Sequence, residues 1–174
     1  MRISAAILIL ILIAAWPLHA MPLTEGDRRS LQKSEVLQHV QYQTYLETDK
    51  GPAGVIGYYF DRYFTQNAFA TLGIFGAVSG NRGGYGIAAL GLGYRVPISQ
   101  SVALDFRSLV GSGGGGGVPA GGGLAIHAGV GVLVEMWADG YLDAGYSWLQ
   151  FPSGTLNTPT IHIGVALKSQ MISI

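Results

Sequence analysis

Apolar side chains alternate with polar or small ones along most of the chain from residue 36 onwards. A period of two residues is typical of β-strands whose two faces meet different environments. In the segment 124–136, one face is uniformly apolar, whereas the other includes His127, Gly131 and Glu135. The alternation predicts eight strands, over residues 36–47, 53–63, 68–78, 85–96, 101–110, 124–136, 141–149 and 160–169.

The two faces of the predicted strands differ in a consistent way. One face is apolar in nearly every strand, and the other is small or polar and holds most of the charges outside the N-terminal region. Strands of about ten residues with an apolar outer face are typical of transmembrane barrels, and eight of them enclose an interior that side chains can fill. We therefore predict an all-β domain over residues 36–174, an antiparallel up-and-down transmembrane β-barrel of about eight strands.

The N-terminal region does not follow the barrel pattern. Residues 1–20 combine a positively charged start, an apolar run over 3–15 and a small last residue, which predicts a cleaved signal peptide. The apolar run is shorter than the ~20 residues that a membrane-spanning helix needs. Residues 21–35 are rich in charge and are predicted to form a polar tail, in which Thr24 and Asp27 match the pattern of a helix cap.

Charge and cysteine content exclude several functions. Ten basic residues balance ten acidic ones, and no Lys/Arg-rich cluster is present, so we expect no nucleic-acid partner. The absence of cysteine excludes disulfides, cysteine-based zinc sites and thiol catalysis. The glycine-rich stretch 111–123 is not followed by the Gly-Lys-Ser/Thr of a phosphate loop. We expect no cofactor.

In its strand pattern the chain resembles the small eight-stranded outer-membrane barrels of the OmpA/OmpX-like and opacity-like group. The resemblance covers residues 36–174, although residues 168–174 lack the terminal aromatic side chain usual in that group. It implies a location in a bacterial outer membrane, lipid as a partner, and a non-catalytic structural or surface-interaction role. Any protein or surface partner would meet the predicted loops 79–84 and 111–123.

Nine ionisable residues fall on the predicted inner face or close to it. Because buried charges need partners, we predict an ion-pair network that fills a narrow lumen. We predict no metal site, since His39, His127 and His162 lie on three different strands and would have to converge at one depth. The predicted network consists of Asp61, Arg95, Asp105, Arg107, His127, Glu135, Asp143, His162 and Lys168.

Two alternative functions remain open. A hydrolase similar to the outer-membrane lipid A deacylases would use His127 as a base with Glu135 or Asp143 as its orienting acid. The resemblance to those enzymes is incomplete, because they carry a serine two residues after the histidine, where this chain has Gly129. The second alternative is a soluble periplasmic barrel that binds an apolar ligand.

Overall fold

The computed structural model describes residues 32–48, 51–80 and 83–173, and these residues form a closed barrel of eight antiparallel strands joined in sequence order. The predicted eight-stranded antiparallel barrel is confirmed. Within the described ranges, no helix is long and apolar enough to cross a membrane. The predicted signal peptide and residues 21–31 of the predicted tail lie outside the described residues. The strands are β1 (Gln32–Tyr45), β2 (Ala53–Tyr63), β3 (Ala68–Ala77), β4 (Gly86–Pro97), β5 (Val102–Gly114), β6 (Leu124–Trp137), β7 (Gly140–Gln150) and β8 (Asn157–Ser173).

The connections at the two ends of the barrel differ in length. At the end where β1 begins, here called the turn end, the connections are short. At the opposite end, here called the loop end, they are longer. The turn-end connections span residues 64–67, 98–101 and 138–139. The loop-end connections span residues 46–52, 78–85, 115–123 and 151–156.

β5 is longer than predicted: it continues to Gly114, into the glycine-rich stretch that was predicted to be a loop. Gly111 pairs with Ala89 of β4. A Cβ atom on Gly111 would lie only 2.2 Å from the carbonyl oxygen of Ala88. Glycine therefore allows the two strands to approach closely here. Because glycines have no side chains, this part of β5 shows no alternation of apolar and polar residues and was not predicted as a strand.

β1 and β8 also extend past the predicted segments. β1 begins at Gln32, ahead of the predicted start, and β8 spans Asn157–Ser173. The added residues are mostly polar, so they carry no apolar alternation. Side chains from the two strands still meet at the turn end, where Lys168 Nζ lies 2.9 Å from Glu35 Oε2.

The outer face of the barrel is apolar over most of its height, as the alternation predicts. Leu90 and Leu92 on β4 expose 67% and 63% of their surface, and Ile163 on β8 exposes 57%. An apolar surface of this extent marks contact with a membrane or with a partner rather than with water. Other large apolar residues exposed on the strands include Val40, Tyr42, Ile74, Tyr94, Phe106, Val110, Leu124, Tyr146, Trp148, Ile161 and Leu167.

The inside of the barrel contains three layers of side chains, which can be followed along β1. Leu37 belongs to an apolar cluster at the turn end, and Tyr45 belongs to a larger apolar cluster at the loop end. Between them, His39, Gln41 and Gln43 are buried in a polar middle layer. The turn-end cluster also contains Tyr63, Phe69, Leu133 and Ala166. The loop-end cluster also contains Val55, Phe75, Tyr85, Ile87, Leu109, Ala120, Leu149, Phe151 and Leu156.

Two of the loop-end connections close this end of the barrel. The backbone N–H groups of Thr155 and Leu156 both donate to the carbonyl oxygen of Pro119, at 2.9 and 3.4 Å. Ala120 is buried in the loop-end cluster. The preceding glycines 115–117 have φ values of 87°, 59° and 66°, a backbone conformation that favours glycine. The connection 115–123 is thus folded over the barrel mouth.

We expect Gly93→Ala to lower the free energy of unfolding by about 1–3 kcal/mol, the usual effect of overpacking a core. A Cβ atom on Gly93 would lie 2.1 Å from Phe69 Cζ, and Phe69 is fully buried in the turn-end cluster. The measurement is urea unfolding in detergent micelles, followed by tryptophan fluorescence. Gly76→Ala is the matched control, because its Cβ would meet no atom closer than 4.0 Å. Equal midpoints for the two variants would contradict this packing.

Candidate functional site

The polar middle layer is organised around His39, which is fully buried on the inner face of β1. Its Nδ1 lies 2.7 Å from Asp143 Oδ2, and its Nε2 lies 2.9 Å from Asp61 Oδ2. An ionised carboxylate only accepts hydrogen bonds, so with both carboxylates ionised, both ring nitrogens donate and His39 is an imidazolium. His39 thereby joins β1 to β2 and β7 as a buried cation.

Arg107 on β5 is the second cation in this layer. Its Nη2 donates to Asp61 Oδ2 at 2.6 Å and lies 3.7 Å from Asp105 Oδ2. Its guanidinium carbon also lies 4.4 Å from the ring centroid of Tyr59 and 5.5 Å from that of Phe69. Aromatic faces attract cations more strongly where water is excluded, so both rings stabilise the charged guanidinium.

Arg95 on β4 completes the set by pairing with Asp105. Its Nε lies 2.7 Å from Oδ1 and its Nη2 2.8 Å from Oδ2, a bidentate geometry that fixes both side chains. Three carboxylates thus face three cations when His39 is charged, and their mutual pairing offsets the cost of burying them. We call this set the charge cluster. It consists of His39, Asp61, Arg95, Asp105, Arg107 and Asp143.

Part of the charge cluster has metal-ligand chemistry. One side-chain atom each from His39, Asp61 and Asp105 can lie within 4.8 Å of the others. Arg107 Nη2 lies 2.6 Å from Asp61 Oδ2, 3.3 Å from His39 Nε2 and 3.7 Å from Asp105 Oδ2. The guanidinium therefore stands where a metal ion would bind, and its charge would repel the ion. These residues do not fit a metal site.

Neither ring nitrogen of His127, the candidate base, is hydrogen-bonded to one of its predicted acids. Its Nε2 is 2.9 Å from Ser147 Oγ, and Ser147 is hydrogen-bonded in turn to Thr160. Its Nδ1 has no hydrogen-bond partner among the described residues. Neither Glu135 nor Asp143 therefore orients the ring. The arrangement lacks the acid that a base of this kind needs.

The structure brings five of the nine predicted network residues into the charge cluster and places the others differently. His162 contacts the cluster, with Nε2 at 3.4 Å from Asp143 Oδ1. The placement of Glu135 in the interior network needs correction: Glu135 keeps the regular register opposite Tyr141, but it is exposed, because it lies at the turn end of β6, where residues 135–137 are all exposed. Lys168 lies at the turn-end rim and pairs with Glu35 instead of the cluster.

The predicted network omitted His39 and its polar neighbours on β1. Gln41 Nε2 donates to Asp143 Oδ2 at 2.5 Å. Gln43 Nε2 lies 3.1 Å from Gln41 Oε1 and 3.0 Å from Tyr59 Oη. The signal was present in the sequence, since these β1 residues alternate with apolar ones on the polar face. Counting ionisable groups alone missed the glutamines that complete the hydrogen bonding.

Comparison of the fold with solved structures finds transmembrane barrels. A de novo designed transmembrane β-barrel matches with a TM-score of 0.55 and 16% identity, over 86% of this chain and 100% of its own. The Yersinia pestis outer membrane protein Ail matches with a TM-score of 0.54 and 12% identity, over 78% and 99% of the two chains. Neisserial surface protein A matches with a TM-score of 0.52 and 12% identity, over 80% and 99%.

The fold is that of the small eight-stranded outer-membrane barrels. The resemblance inferred from the strand pattern is therefore confirmed at the level of fold. No protein-family model matches the chain, and no curated protein matches it in sequence. At sequence identities of 12–16%, a shared fold does not show a shared function. The function has to be argued from the filled interior, the outer face and the loop end.

Proposed function

We propose that the protein is a small outer-membrane barrel with a structural or surface-interaction role and no catalytic activity. The observation that carries the proposal is the filled interior, in which the charge cluster lies between two apolar clusters. Two cavities inside the barrel have volumes of about 20 and about 10 Å³. Ligand pockets usually measure roughly 300–1,000 Å³, so these cavities suit neither a pore nor an apolar ligand.

The apolar outer face and the unequal connections support an orientation. Outer-membrane barrels have short periplasmic turns and longer external loops. We therefore infer that the turn end faces the periplasm and the loop end faces outwards, with the apolar face in lipid. Export by residues 1–20 and a periplasmic polar tail over 21–31 belong to the same proposal, since residues 32–35 are part of β1.

A surface partner would meet the loop end. Residues 111–114 belong to β5, and the connection 115–123 is hydrogen-bonded to 151–156. The predicted contact loop is thus ordered before any partner binds, which reduces the entropy lost on binding. The connection 79–84 also lies at this end, although its residues 81 and 82 are outside the described residues.

One contact favours the hydrolase alternative, namely the pair formed by His127 and Ser147. Both side chains lie inside the barrel, and their residues expose only 7% and 2% of their surface. A membrane lipid on the outer face would be separated from them by the barrel wall. The geometry therefore favours the non-catalytic role.

The test combines localisation with conductance. We expect expressing cells to yield the protein in the outer-membrane fraction, with different gel migration before and after boiling. In planar lipid bilayers, the purified barrel should produce no steady single-channel current. Recovery in the soluble periplasmic fraction would overturn the membrane assignment, and a reproducible open channel would overturn the filled interior.

A further inference from the structure

A small cavity lies where the charge cluster meets the His127–Ser147 pair. Its volume is about 20 Å³, which is close to the space that one water molecule occupies. A cavity of this size stays dry when its lining is wholly apolar, but seven of the ten residues that line this one have polar side chains. It is formed by Tyr59, Asp105, Arg107, His127, Gly129, Val130, Gly131, Asp143, Ser147 and His162.

Three of the lining side chains have a buried nitrogen that lacks a hydrogen bond. Arg107 Nε, His127 Nδ1 and His162 Nδ1 have no partner among the described residues. Leaving a polar atom unpaired in a site shielded from water is costly, and native structures rarely do so. Three such atoms around one cavity point to a ligand that all three can share.

The chemistry of these nitrogens defines the ligand. Arg107 Nε can only donate a hydrogen bond. His162 Nε2 lies 3.4 Å from Asp143 Oδ1, so in the tautomer that places the ring proton towards this carboxylate, Nδ1 is an acceptor. The ligand must therefore both accept and donate. It must also be neutral, because Asp105 and Asp143 line the cavity beside the Arg107 cation.

We propose that this cavity is a binding site for one water molecule, which accepts from Arg107 and donates to His162, with His127 as its third partner. Buried waters typically make about three hydrogen bonds. The bound water links the hydrogen-bonded group of His127, Ser147 and Thr160 to the charge cluster. The polar layer then forms one network instead of two separate ones.

Gly131 is the residue that leaves room for this water. A Cβ atom at this position would lie 3.2 Å from Asp143 Oδ1 and 3.4 Å from His162 Nε2. Its methyl group would point among the polar side chains that line the cavity. Gly131→Ala therefore removes the space for the water without deleting any of its three partners.

The experiment is solution NMR of the folded barrel in detergent micelles, measuring magnetisation transfer between water and protein. We expect the wild-type barrel to show cross-peaks at the water frequency to the Gly131 amide and to the ring protons of His127 and His162. These cross-peaks should persist when chloride is replaced by bromide. Their absence from the folded wild type would overturn the proposal, and so would shifts of the ring signals on halide exchange, which would indicate a bound anion.

Two variants give a second readout. Gly131→Ala should lose the water cross-peaks to both histidine rings, whereas Gly76→Ala on the outer face should keep them. If the cross-peaks persist unchanged in folded Gly131→Ala, the water is elsewhere and the proposal fails. If Gly131→Ala does not fold, the wild-type measurement still decides the outcome.

Discussion

Replacing Arg107 with methionine is expected to cost the barrel about 3–5 kcal/mol of unfolding free energy, the usual effect of removing one partner of a buried ion pair. Methionine keeps much of the length of the side chain but removes the cation that Asp61 and Asp105 share. It also removes the charge that lies over the rings of Tyr59 and Phe69. The measurement is urea unfolding in micelles, with gel migration as a check on folding.

The matched control is Arg62→Met, because Arg62 is exposed at the end of β2 and belongs to neither interior cluster. We expect little change in its midpoint. The double variant Arg107→Met/Asp61→Asn should recover part of the lost stability, since it restores equal numbers of cations and carboxylates in the charge cluster. A double variant no more stable than Arg107→Met alone would contradict charge imbalance as the main source of the loss.

The second large effect is expected at His39. His39→Phe should lower the unfolding free energy by about 3 kcal/mol, because Asp61 and Asp143 lose the cation between them. Phenylalanine keeps the planar ring, so lost volume does not explain the change. The same urea titration measures it.

Val40→Phe is the control for the added aromatic ring, since Val40 is the next residue on β1 and faces outwards with 44% of its surface exposed. It should unfold at nearly the wild-type urea concentration. The doubly protonated state of His39 predicts, in addition, two slowly exchanging ring N–H signals in the wild-type NMR spectrum. A single ring N–H signal would contradict the double hydrogen bond to the carboxylates.

Alternation along the chain was sufficient to predict the number of strands, the apolar outer face and the polar middle layer of the interior, but not the apolar clusters on either side of that layer. It worked because side chains in a strand alternate between two faces, and the two faces here meet different environments. The prediction was weak where side chains stop alternating. β5 was cut short at its glycines. Glu135 was assigned to the interior because alternation does not show where a strand reaches the end of the barrel and its side chains become exposed.

The partners within the interior could not be predicted from the sequence. Which inward residues meet depends on the stagger between strands that are not neighbours, and a single chain's pattern gives no measure of it. Arg95 and Asp105 face each other across adjacent strands, in direct register. His39 and Asp143, in contrast, come into contact only when the sheet closes into a barrel. His39 was therefore not predicted as the centre of the charge cluster.

The contact between His39 and Asp143 links the pairing of buried charges to the closure of the barrel. His39 and Asp143 are 104 positions apart, on β1 and β7, while His39 and Asp61 are 22 apart on adjacent strands. The contact between β1 and β7 is gained only when the sheet closes, so an open or partly formed sheet would leave His39 without Asp143. Chain closure and charge neutralisation are therefore one cooperative event. We infer a barrel that is either fully formed or unfolded, with little population in between.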